Sequence, residues 1–253
     1  MDAAANATHR VAVFGEIGDP HPLAEILCDV LHENRTDAVI HAHQAPAVLI
    51  PRMTAGQAAK VVELLNGLGV QAAAVVAAEL PNFDAATVVH HAVLGDEKLD
   101  ILDYRGDVAE RIAWPQVALL AIGDVPLETA RRDTGTTQAL VTSAGRSGMS
   151  TVSVPVSAGP EMWWITADND KVYRLDHRQM NYETLGQRMT DSATANFRLF
   201  AAEFASSAVS AWKTPAARAY LDHQPAGQYT FDSPEALQRQ ALLHWVMAKQ
   251  AKG

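Results

Sequence analysis

Apolar residues fall in short blocks along the first 80 positions, with polar breaks between them. Val11 to Ile17 is a mainly apolar run that ends at Gly18 and reads as a strand. Asp19-Pro20 then offers an N-cap and a proline at the first helical position. Leu23, Ile26, Leu27, Val30 and Leu31 follow at helical period. Asp37 to His43 predicts a second strand, Ala45-Pro46 a break, and Ala47 to Ile50 a third strand. Thr54, with Gln57 three residues on, forms a capping-box pattern ahead of the apolar face Ala58, Val61, Val62, Leu65 and Leu68. Gly69 stands where a helix C-terminus wants glycine. Val70 to Ala78 predicts a fourth strand. The order βαββαβ describes an antiparallel sheet with two helices on one face.

The pattern then changes. Val88 to Leu94, Leu99 to Asp103, Ala109 to Trp114 and Val117 to Ile122 are strand-like runs, separated by turn residues at Gly95-Asp96 and Arg105-Gly106-Asp107. Regular short strands at this spacing predict a meander that curls into a small barrel. Residues 128–160 are rich in Thr, Ser, Gly and Ala, and read as a long loop inserted between strands. Met162 to Thr166 and Val172 to Leu175 resume the strand pattern around an Asp168-Asn169-Asp170 turn. The rest predicts helices: a short one after Asn181, one capped at Thr190-Asp191-Ser192 with Phe197, Phe200 and Phe204 on one face, one from Thr214-Pro215, and one from Ser233-Pro234.

Composition narrows the class. The 253 residues are 48% hydrophobic and 19% charged, as in an ordinary globular chain. Cys28 is the single cysteine, so no internal disulfide can form, and the apolar helical pattern around it reads as a packed structural thiol. The polar, Ala-rich start lacks the form of a signal peptide, and no apolar stretch reaches membrane-spanning length. These features predict a cytoplasmic protein. The net charge of −9 is uneven: residues 1–86 carry 4 basic and 10 acidic side chains, residues 87–128 carry 3 and 8, and residues 182–253 carry 7 and 6. An acidic front half repels phosphate backbones and anionic lipid, which argues against a nucleic-acid or membrane partner there.

Two segments carry resemblances. Thr54 to Ala78 is a capped helix, a Leu-Gly-Val link and a strand, and it resembles the C-terminal domain of the bacterial ribosomal stalk protein and ferredoxin-type regulatory domains. Val88 to Val125 has a strand, a Leu-x-Ile-x-Asp hairpin, a Gly turn and then Ile-x-Trp-x-x-Val. It resembles bacterial pleckstrin-homology-like domains, in which a helix plugs a β-barrel. The helix from Thr190 to Ala208 would be that plug. The resemblance implies a binding module for peptides or lipid headgroups, and the acidic balance of 87–128 disfavours the lipid. The expected fold is therefore α+β in three parts: a ferredoxin-like domain over 1–84, a pleckstrin-homology-like barrel over 85–210 with the insertion at about 128–160, and a helical extension over 211–253.

Candidate chemistry is sparse. His41 and His43 are two apart on a predicted strand, so they would share a face and could converge on a metal with His90 or His91, and with His21 or Asp19 as a third ligand. Gly145-Arg146-Ser147-Gly148 lacks the spacing of a serine elbow. Gly15-x-x-Gly18 lacks the third glycine of a dinucleotide loop, and its Glu16 and Asp19 would repel phosphate. Asp100, Asp103 and Asp107 sit where turns favour Asp. Trp163-Trp164 on a strand would point one ring inward and the other outward, and the outward ring could anchor a partner. The function expected from this reading is non-enzymatic binding of a protein partner or a second copy of the chain, with no cofactor. The alternatives are a metal-dependent protein using the paired histidines, and a small-molecule sensor at the interface of the first two segments.

Overall fold

The computed structural model describes residues 8–126 and 158–251. The chain is mixed α and β, with several sheets and helices.

The N-terminal unit holds β1 (His9–Val13), α1 (His21–Leu31), α2 (Arg35–Ala42), α3 (Ala55–Gly67) and β2 (Ala72–Val76). β1 and β2 pair antiparallel, with Val11 opposite Ala74. α3 begins as its sequence predicts: Gln57 N–H donates to the Thr54 hydroxyl at 3.3 Å, and the Gln57 side chain accepts from Thr54 N–H at 3.0 Å. The expected second strand is a helix. Asn34 caps α2 by accepting from Asp37 N–H at 3.0 Å, and Ala38 and Ala42, four residues apart, turn one face into the core. The expected third strand forms only scattered pairing with β1. Leu49 N–H donates to Val11 O at 2.8 Å and Val13 N–H to Ala47 O at 2.9 Å, while Pro51 has no N–H to continue the ladder. The βαββαβ order is thus replaced by a two-stranded sheet flanked by three helices. Val11, Val13, Leu23, Leu27, Val61 and Leu65 form its core.

The hairpins predicted in the next segment do form. β4 (Ala92–Leu94), β5 (Lys98–Leu102) and β6 (Val108–Ala113) make a three-stranded antiparallel sheet. Its second turn is held by Asp103, whose carboxylate accepts from Arg105 N–H at 2.8 Å and from Asp107 N–H at 3.0 Å, with Gly106 at φ +87°.

The barrel does not close among the described residues. β7 (Val117–Pro126) leaves the meander and becomes the interior of a separate five-stranded sheet, in the order β10–β7–β8–β9–β3. The other strands are β3 (Thr87–Val88), β8 (Ala158–Thr166), β9 (Val172–Asp176) and β10 (Trp212–Lys213). The reason lies in Val-Ala-Leu-Leu-Ala-Ile, an unbroken apolar run that suits a strand covered on both faces rather than one wall of a small barrel. Leu120, Ile122, Met162 and Trp164 face α4 (Ala193–Ser207), which delivers Phe197, Phe200 and Phe204. Leu119, Ala121, Trp163 and Ile165 face α6 (Pro234–Gln250), which delivers Leu237, Ala241 and Trp245. The expected plug helix is therefore real as an element, but it covers an open sheet. α5 (Pro215–Leu221) packs against β7 beside it. The 128–160 insertion lies outside the described residues up to Ala158, where β8 begins.

α6 also ties the two halves together. Its Leu243 and Val246 pack on Ala12 and Val48 of the N-terminal unit. No described helix is long and apolar enough to cross a membrane.

Candidate functional site

The predicted metal ligands do not converge. His41 lies on α2 and His43 caps its end, so their side chains are about 200° apart around the helix rather than on one strand face. His41 Nδ1 is 3.2 Å from Glu33 Oε2. His90 lies between β3 and β4, with Nδ1 3.3 Å from the Gln179 carbonyl. Among the described residues, no three His, Cys, Asp or Glu side chains are grouped to hold a metal ion. Cys28 is half-buried: it packs against the N-terminal core and also lines a cleft of about 350 Å³ between α1 and α2 with His21, Glu25, Asp29 and Arg35.

Neither predicted tryptophan anchor reaches the surface: Trp163 is 2% exposed and Trp164 fully buried. They do point to opposite faces of β8, as the alternation requires, but helices cover both faces. Trp164 stacks on Tyr173, with ring centres 5.2 Å apart, and meets Phe204. Trp163 packs on Phe83 and donates from Nε1 to Glu161 Oε2 at 3.2 Å.

That bond belongs to a polar group the sequence does not announce. Glu161 is a buried carboxylate, and Arg174 on the neighbouring strand reaches it from Nη2 at 2.5 Å while lying 5.5 Å from the centre of the Trp163 ring. Burial raises the Glu161 pKa, and the Arg174 bond opposes the rise. One step along β9, His177 Nδ1 sits 3.1 Å from the Pro160 carbonyl and 3.5 Å from Asp176 Oδ1. The carbonyl can only accept, so Nδ1 carries the proton. The ring lies so close to Gly159 that a Cβ there would come within 2.1 Å of it. Burial lowers the His177 pKa, and it raises that of Asp124 on β7. Tyr182 donates its hydroxyl to the His177 carbonyl at 2.8 Å. Tyr220, against which Arg198 lies 5.1 Å from the ring centre, is pushed up to about 12 by burial. Glu161, Asp176 and His177 are all buried, so this network locks strand ends together and keeps its charges away from solvent.

The surface offers a different feature. In the three-stranded sheet β6 pairs only with β5, and among the described residues no backbone hydrogen bond reaches its other edge. Val93 on β4, Val108 on β6 and Tyr104 in the turn between β5 and β6 are exposed. Asp100 and Arg111 face each other across the strands, with Arg111 Nε 3.5 Å from Asp100 Oδ1. Where α6 meets the N-terminal unit, Leu243 and Val246 pack directly on Ala12 and Val48. The meander was legible in the sequence. Its free edge was not, because a closed barrel would have had none.

No protein family, curated protein or solved structure matches this chain.

Proposed function

We propose that the protein is a non-enzymatic binding module that holds a protein partner at its three-stranded sheet, with an extended segment of the partner adding to the free edge of β6. The observation that supports this is the unpaired edge itself. A row of unbonded N–H and C=O groups is a template for another strand, and main-chain bonds then supply affinity while side-chain contacts supply selection. Exposed Tyr104, Val108 and Val93 supply apolar and aromatic contact on the same sheet. The resemblance of Val88 to Val125 to pleckstrin-homology-like modules points the same way.

Edges that must stay unpaired carry lysine. Val108→Lys is therefore the direct test, with Leu199→Ser, an exposed change on α4, as the control. Tagged wild type and control should recover the same partner from lysate of the source cells, and Val108→Lys should lose it while keeping its thermal stability. Recovery by all three alike contradicts the reading.

A further inference from the structure

The sheet face under α6 is filled for most of its length and then opens. Leu237, Ala241 and Trp245 pack with Leu119, Ala121, Trp163 and Ile165. Ala248 and Lys249 continue the same stripe of α6, three and four residues beyond Trp245. The sheet side here is only Ala118, at the start of β7, and Ala167, just past β8. These small side chains leave a pocket of about 170 Å³, lined by Ala118, Ala167, Trp245, Ala248 and Lys249. Ala118, Trp245 and Ala248 are each less than a tenth exposed and form its floor. Ala167 and Lys249 are exposed and form its rim.

The lining decides what the pocket can hold. It presents three methyl groups, an indole and the aliphatic stem of a lysine, so a charged head would lose its water with no partner inside. The backbone N–H of Ala167 is already used, donating to Gln116 O at 2.8 Å. The charges at the rim answer each other: Lys249 Nζ is 3.2 Å from Asp170 Oδ1, and it lies 4.7 Å from the centre of the Trp245 ring. That pair leaves no net charge to draw in an ion, which selects a neutral ligand. A dry apolar cavity of about 150 Å³ accommodates benzene, so the volume here matches a single six-membered ring. The Trp245 indole favours an aromatic ring over a saturated one, because paired rings attract beyond what area burial supplies.

We propose that the pocket formed by Ala118, Ala167, Trp245, Ala248 and Lys249 is a binding site for a small neutral molecule with one aromatic ring. It uses none of the residues of the β6 edge, and it stands or falls independently of the role proposed for that edge.

The test follows the methyl resonances of the full chain labelled with ¹³C at its alanine methyl groups. Ala118, Ala167 and Ala248 are assigned by single substitution to Gly. Benzyl alcohol is titrated in, and separately cyclohexylmethanol, its saturated counterpart. The expected result is a saturable ring-current shift of the Ala118 and Ala248 methyls with benzyl alcohol below about 20 mM, and binding of cyclohexylmethanol weaker by about twofold to tenfold. Ala248→Leu fills the pocket from the helix, and Ala167→Leu closes it from an exposed turn. Each should weaken benzyl alcohol binding by about tenfold or more, as overpacking does, while the other methyl resonances keep their dispersion. Methyl groups that ignore benzyl alcohol over that range, or shifts that persist in a filled variant that keeps its dispersion, overturn the site. Cyclohexylmethanol binding as tightly as benzyl alcohol overturns the aromatic class.

Discussion

Glu161 is a carboxylate set among Met162, Trp163 and Trp164 in a core strand, and it is tolerable there because Arg174 reaches it. Removing one partner of a buried pair leaves a charge without compensation. Arg174→Met should therefore cost about 3–5 kcal/mol in denaturant unfolding, and Glu161→Gln added to it should recover part of the loss. A cost under about 1 kcal/mol for the single change would show that the pair carries no such charge burden. His177 adds a pH dependence. Burial holds its pKa below the ordinary 6.5, with Asp176 and Asp124 opposing and Arg178 assisting. The unfolded chain then takes up a proton that the folded chain refuses, so the stabilising contribution of neutral His177 is full above about 6.5 and is lost as the pH falls through the lower folded value. His177→Asn removes this dependence, and the stability gap between wild type and variant should narrow on acidification below 6.5. A gap that widens would reverse the sign of the argument. None of this was legible beforehand. Glu161 and Arg174 read as isolated polar positions, and only the strand register, with Trp163 opposite Arg174, brings them together.

Elements were legible where their signals are local. The Thr54–Gln57 capping box, the Ser192, Thr214 and Ser233 caps, and the Gly106 turn all form as the sequence predicts. Thr54→Ala should cost about 1 kcal/mol, read from the shift of the unfolding midpoint, with Gln57→Ala adding less because both remove parts of one reciprocal cap. A Thr54→Ala variant as stable as wild type would mean that packing alone fixes the start of α3. Asp37 to His43 reads as a strand, yet it lies in α2 and its C-cap, because so short a run does not let periodicity separate strand from helix. The decisive signal is Asn34, a cap three residues before the segment that reads as a strand. With the helix in place, His41 and His43 part company, and the metal reading loses its geometry.

At the scale of the molecule, the mixed α+β class follows from the pattern, while the closure of the second sheet does not. β7 read as one more short strand, yet its apolar run continues across both faces and needs two covering layers, α4 on one side and α6 on the other. Diverting β7 into that sandwich leaves β6, among the described residues, without a strand neighbour on one side, and the proposed binding role rests on this edge. Which strand would sit beside which depended on contacts far apart in sequence, and no local spacing encodes them. The central claim is most directly tested by a photo-crosslinking residue placed at Val108 in the full chain expressed in its own cells, with the same residue at Leu199 as reference. The account predicts a discrete adduct with a partner chain from position 108 and none from 199. Absence of an adduct at 108, or the same adduct from both positions, would contradict it.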